Sequence, residues 1–210
     1  MEDKYLSVIT NFGCHYTCPY CIVKNNNLHI PATTLQGLDK LEYYIDQVGA
    51  NIVSVSGGGD PLYNYDEHQD WYKKLFEILD KTNCRFELHT SYINNVFSSD
   101  KCYRIVYHCR DIEDIEKIQK CKETVTRAVY VVQDRFTEDD ISYIYEYYKH
   151  SPNIDELSFR QRVDKGFVIT YHLHDYLLAG HKNKWWYIQQ GDYNTYYAEN
   201  EIHTEFNKFK

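Results

Sequence analysis

Short apolar runs rich in β-branched residues alternate along this chain with stretches whose apolar residues return every three or four positions. Tyr5-Leu6-Ser7-Val8-Ile9-Thr10 reads as a buried strand. Leu35, Leu38, Leu41, Ile45 and Val48 follow at helical spacing, with Thr33 or Thr34 able to cap the helix and Gly49 able to end it. Asn51 to Ser56 is the next strand, and a helix from about Glu67 to Lys81 carries Trp71, Leu75, Ile78 and Leu79 on one face. Strands are expected at Arg85–Thr90, Tyr103–His108, Val125–Val132 and Ile154–Arg160. Ser91 to Lys101 is barely long enough for a crossover. Ile112, Ile115 and Ile118 mark a helix, and Thr137 caps another that runs to His150 with Glu138 and Asp139 in its first turn.

Six strands alternating with five helical patterns predict an α/β fold built on a parallel sheet. The pattern changes after about residue 165. Phe167 to His174 reads as a strand or as the start of a helix reaching Leu178. Beyond it, Trp185–Gln190 and Asn194–Tyr197 flank Gly191-Asp192, a hairpin signal, and Ile202–Phe206 reads as a further strand. The expected tail is therefore a small antiparallel β-meander over 166–210, packed on a main domain over 1–165.

The chain has 210 residues and a net charge of −8, which argues against a broad grip on nucleic acid. Its start, Met1-Glu2-Asp3-Lys4, is unlike a signal peptide, and no apolar stretch approaches the ~20 residues of a membrane span. These features predict a cytoplasmic protein with its thiols reduced.

The densest chemistry lies just after the first strand. Cys14-His15-Tyr16-Thr17-Cys18-Pro19-Tyr20-Cys21 places three thiols within eight residues. Such spacing lets one loop wrap a metal centre. An ordinary iron–sulfur cluster has four cysteine ligands, so three leave one coordination position open. A structural zinc site is usually built from two separated pairs, and only Cys18-x2-Cys21 has that spacing. Seven cysteines, an odd number, do not suit a disulfide framework. The second signal is Gly57-Gly58-Gly59-Asp60-Pro61, directly after the second strand, where glycines let a backbone approach a ligand closely. His172-x-His174 is a weaker feature, more often a packed or solvated pair than a metal site.

Cys14-x3-Cys18-x2-Cys21, with the aromatic Tyr20 before the last cysteine, resembles the cluster loop of the radical SAM superfamily. Gly57-Gly58-Gly59-Asp60-Pro61 resembles that family's glycine-glycine-glutamate-proline motif, with aspartate where glutamate is usual. The resemblance covers about three quarters of the chain and implies a partial (β/α)6 parallel barrel. It implies a [4Fe-4S] cluster on Cys14, Cys18 and Cys21, whose fourth iron is chelated by S-adenosylmethionine (SAM). An electron from a donor such as flavodoxin would cleave SAM to a 5′-deoxyadenosyl radical, which takes hydrogen from a small-molecule or peptide substrate. By the same resemblance, the Gly57–Asp60 turn would hold the methionine amino group and Tyr20 would meet the adenine. His108, Gln133 and Arg160, at the ends of the fourth, fifth and sixth strands, would contact ribose, adenine and carboxylate. Two other readings remain open: an activase of a glycyl-radical enzyme, and a zinc-binding interaction module.

Overall fold

The computed structural model describes residues 3–93, 97, 100–120, 123–190, 192 and 195–210. Its frame is one sheet. The strands are β1 (Tyr5–Thr10), β2 (Ile52–Gly57), β3 (Arg85–Thr90), β4 (Cys102–Cys109), β5 (Val125–Val131), β6 (Glu156–Arg160), β7 (Trp186–Ile188), β8 (Tyr196–Ala198) and β9 (Glu201–His203). They lie in the order β7-β6-β5-β4-β3-β2-β1-β8-β9. Every neighbouring pair is parallel except β8–β9. The protein is thus α/β with a mostly parallel sheet.

The helices are α1 (Ile22–Asn25), α2 (Leu41–Val48), α3 (Gln69–Thr82), α4 (Glu138–His150) and α5 (His174–Gly180). Gly49 ends α2 in the left-handed conformation, as its position suggested. Thr137 and Asp140 form a reciprocal capping box at the start of α4. The helix expected at Ile112–Ile118 is a single 3-10 segment, Ile112–Lys117, opened by a capping box from Asp111 and Asp114.

The two faces of the sheet differ in chemistry. Leu6, Val8, Val53, Val55, Leu88 and Ile105 point to the helix-covered face and join Leu41, Leu75 and Ile144 in the main core. A parallel sheet buried on both faces is usually apolar on both. Here the alternate positions carry Ser7, Ser54, Glu87, Arg104, Arg127 and Ser158, all buried. Such residues need a polar interior or a cavity.

The tail departs from the expected antiparallel meander. β7 extends the sheet in parallel beside β6, while β8 pairs in parallel with β1 at the far side; only β8 and β9 form an antiparallel pair. Gly191 lies outside the described residues. Asp192, its neighbour, does close a turn, with its N–H donating to the Gln189 carbonyl and its carboxylate accepting from the Gln189 N–H. These bonds form, but the expected hairpin does not: the strands on either side go to different partners.

This connection forces curvature. Ile188 and Tyr196 are eight residues apart, so their Cα atoms lie at most about 29 Å from each other. Seven strand spacings separate β7 from β8 in the sheet order, about 34 Å if the sheet were flat. A flat sheet is out of reach, so the sheet curls. Ile188 and Tyr196 line the same cavity, which places the concave side on the polar face. A second apolar cluster, Ile9, Leu28, Ile30, Tyr196, Ala198 and Phe209, packs the chain end against the exit of the cysteine loop. The His29 N–H donates to the Phe209 carbonyl there at 2.6 Å.

Candidate functional site

The concave face encloses a cavity of about 290 Å³ at the C-terminal ends of the parallel strands. Ligands in parallel α/β folds sit at that edge. Its wall includes Cys14, Cys18 and Cys21 from the loop after β1, and Gly57 through Asp60 from the turn after β2. Segments about forty residues apart in sequence therefore meet around one space.

The meeting is held by backbone. The Gly58 N–H donates to the Thr10 carbonyl at 2.8 Å, and the Asp60 N–H donates to the Gly13 carbonyl at 2.6 Å. The approach is too close for side chains. A Cβ on Gly59 would stand 2.7 Å from the Gly13 carbonyl carbon, and one on Gly58 would fall 2.8 Å from Ile30 Cβ. Gly13 itself has φ +117°, a conformation that favours glycine. The cysteine loop is also ordered internally. The Cys21 N–H closes a turn onto the Cys18 carbonyl at 3.1 Å, and the Asn25 side-chain amide donates to the Pro19 carbonyl at 2.8 Å. His15 stacks on Tyr92, with ring centroids 4.5 Å apart.

All three loop cysteines are free thiols, Cys14 exposed and the other two half-buried. Burial pushes the Cys18 thiol up; the Tyr20 hydroxyl bonded to it works in the opposite direction, as does the Arg110 charge. Arg110 also lines the cavity and lies 3.6 Å from the Tyr16 ring centroid. Among the described residues, no group of three or more His, Cys, Asp or Glu side chains is gathered to hold one metal ion. A single ion needs each sulfur within about 2.3 Å. A four-iron cluster takes each thiolate on a different iron, so its ligand sulfurs stand further apart. Three free thiols on one loop around one cavity are a donor set suited to a soft metal centre. His172 and His174 are committed elsewhere, to the Phe136 carbonyl at 2.6 Å and the Tyr187 hydroxyl at 3.1 Å.

Asp60 is only 3% exposed, and protein groups use both its oxygens. One accepts from the Leu62 N–H at 3.0 Å and the Thr90 hydroxyl at 2.8 Å; the other accepts from the Ser91 N–H and the Ser91 hydroxyl, both at 2.7 Å. A carboxylate offers about four acceptor sites, so this one is filled. Asp60 ties the glycine turn to the end of β3, and Gly57 to Gly59 present backbone atoms to the cavity.

Tyr20, His108 and Arg160 line the cavity. Gln133 does not: it is buried and donates to the Arg110 carbonyl at 3.2 Å.

A second constellation lies deeper and was not singled out from the sequence. Glu87, 2% exposed, accepts from the Ser54 hydroxyl at 2.8 Å and from His89 Nε2 at 2.9 Å on one oxygen. Its other oxygen takes Arg104 Nη1 at 2.7 Å. His89 Nδ1 lies 2.9 Å from His108 Nε2. Arg104 continues to Glu156, which Arg127 also grips at 2.6 Å. Burial alone would raise the Glu87 pKa; the His89 and Arg104 contacts outweigh it and hold the carboxyl well below the usual carboxylate range. Burial, with the neighbouring His89 and Arg160, pushes His108 well below the usual imidazole range. The signal for this row was present: Ser54 and Ser56, and Glu87 and His89, recur at period two, and Arg104 and His108 share one face of β4 with Val106 between them.

Comparison of the chain with protein-family models and with curated proteins finds no match.

Proposed function

We propose that this chain is a radical SAM enzyme whose parallel sheet forms a partial barrel around its substrate. The observation that carries the reading is the convergence of Cys14, Cys18 and Cys21 with the Gly57–Gly59 backbone on one cavity. Either motif alone has a bland explanation; their backbone-to-backbone contact through Gly13 and Gly59 does not follow from a plain turn. The curl of the sheet supports the barrel, with β1 to β6 as its six β/α strands and 166–210 as an extension that closes it.

In this reading the three thiolates would hold a [4Fe-4S] cluster, leaving one iron for SAM. When bound and reduced, cluster and SAM would supply a 5′-deoxyadenosyl radical for hydrogen abstraction, the step that the protein itself cannot perform. The chain's own work is binding and exclusion. The backbone of Gly57 to Gly59 offers carbonyl groups to the methionine amino group. Arg160, on the cavity wall, would contact the carboxylate. Ile188 of β7, Tyr196 of β8 and Phe206 form part of the cavity wall.

A concave cavity lined in part by the tail favours a small-molecule substrate over a glycyl-radical partner protein. The same cavity, with the glycine turn beside the cysteine loop, favours an enzyme over a zinc-binding module. Anaerobic reconstitution with iron and sulfide tests this reading. The expected product is a brown protein with about four irons per chain. A colourless chain that holds zinc and rejects iron would sink it.

A further inference from the structure

The Glu87–His89–His108 row has a property that neither cluster nor SAM binding requires. Glu87 is ionised and already takes hydrogen bonds from Ser54 and Arg104, so at its contact with His89 it acts as an acceptor. His89 must then carry a proton on Nε2. When His89 is neutral its Nδ1 is a lone pair, so the 2.9 Å contact requires His108 to donate from Nε2. The remaining ring nitrogen of His108, Nδ1, is then an acceptor. Both histidines line the cavity.

We infer that Glu87, His89 and His108 form a proton relay that opens on the cavity at His108 and exchanges one proton with a small polar substrate bearing an ionisable O–H or N–H. The inference rests on reading the cavity as the substrate chamber. The step balances. The substrate's O–H or N–H bond breaks and its proton bonds to His108 Nδ1. The Nε2 proton of His108 passes to His89 Nδ1. The products are a substrate anion, a neutral His108 with its proton on Nδ1, and a His89 imidazolium paired with Glu87. Run backwards, the same atoms deliver a proton. Arg127 and Arg160, also on the cavity wall, face the developing anion. The charged groups around the relay are Arg104 on β4, Arg127 on β5, and Glu156 and Arg160 on β6.

The alternative is a purely structural Glu87–Arg104 ion pair with two histidines packed beside it. The two cases differ in whether the proton on His108 shifts when His89 takes a second one. Long-range 1H–15N spectra of the full chain labelled in histidine report which ring nitrogen holds each proton. His89→Asn and His108→Gln variants identify the two rings. The relay predicts Nε2–H on both histidines at alkaline pH. On acidification, His108 switches to Nδ1–H in step with double protonation of His89. Glu87→Gln should move that switch to lower pH by about one unit or more. If His108 keeps Nε2–H while His89 is doubly protonated, or if His89 lacks a proton on Nε2 at alkaline pH, the relay is wrong. The wild-type spectra decide this even if Glu87→Gln does not fold. Neither cluster nor SAM is needed, so a failed relay and a failed radical reading are told apart.

Discussion

Gly59→Ala tests the contact between the cysteine loop and the glycine turn with a single methyl group. Its Cβ would stand 2.7 Å from the Gly13 carbonyl carbon and 3.1 Å from the Gly13 nitrogen, and closer still to the carbonyl oxygen. Carbon atoms in good contact sit about 3.5–4.0 Å apart, so loop and turn must separate by roughly 1 Å. Both partners are backbone, and no rotamer can relieve the clash. The 2.6 Å bond from the Asp60 N–H to the Gly13 carbonyl is lost in the same movement. Overpacking costs about 1–3 kcal/mol, and the hydrogen bond about 1 kcal/mol. The sum, about 2–4 kcal/mol, lowers Tm by roughly 4–16 °C in a chain of this size. Because Gly13 adjoins Cys14, iron retained after anaerobic reconstitution should fall as well. Gly166→Ala is the control. Gly166 has φ +75° with nothing within 4 Å of its would-be Cβ, so only backbone strain of about 1–2 kcal/mol applies. Its iron content should match the wild type. A Gly59→Ala protein with wild-type Tm and wild-type iron would refute the contact.

Three further outcomes follow from the same geometry. Asp60→Asn turns one acceptor oxygen into a donor facing existing donors; it should cost about 1–3 kcal/mol in urea denaturation, whereas unchanged stability would mean that Asp60 is free to bind ligand. Stability should fall in two stages on acidification. His108, neutral in the fold and facing His89, Glu87 and Arg160, loses stabilisation as pH drops below ~6.5, where the unfolded chain binds its proton. Glu87 adds a second loss below ~4.5, where the unfolded carboxyl protonates but the folded one does not. A denaturation midpoint flat from pH 7 to pH 3 would contradict both. Replacing Cys84, Cys102, Cys109 and Cys121 together by serine should leave iron near four per chain, because Cys102 and Cys109 sit at opposite ends of β4. Cys121 lies outside the described residues. Iron falling by half would reveal a second cluster.

Much of the frame was legible in the sequence because local pattern and tertiary role agree. Arg85–Thr90 is a strand as read, and Thr137 caps a helix that ends at His150. In such segments periodicity, caps and burial all favour one state. The tail was legible only in part. Its strands are three residues each and its turn chemistry is real, but strand partners are set by the curl of the whole sheet. Nothing in Trp186-Tyr187-Ile188 states that it will lie beside Phe159. The site divides in the same way. Both motifs were readable because their residue types are rare at that spacing. The role of Asp60 was not, since its four donors come from Leu62, Thr90 and Ser91, and the last two lie about thirty residues away. The Glu87–His89–His108 row needs the β3–β4 register to bring Glu87 opposite Arg104 and to set the two histidines two positions out of step on one face, within reach of each other.

The proposed activity is generation of an adenosyl radical in this cavity, at a cluster held by three cysteines. Its readout is 5′-deoxyadenosine released from SAM under dithionite by the anaerobically reconstituted chain, beside its Cys18→Ala variant. The wild type should yield 5′-deoxyadenosine, and the variant neither product nor bound cluster. Equal 5′-deoxyadenosine from both proteins, or none from a wild-type chain carrying four irons, would contradict it.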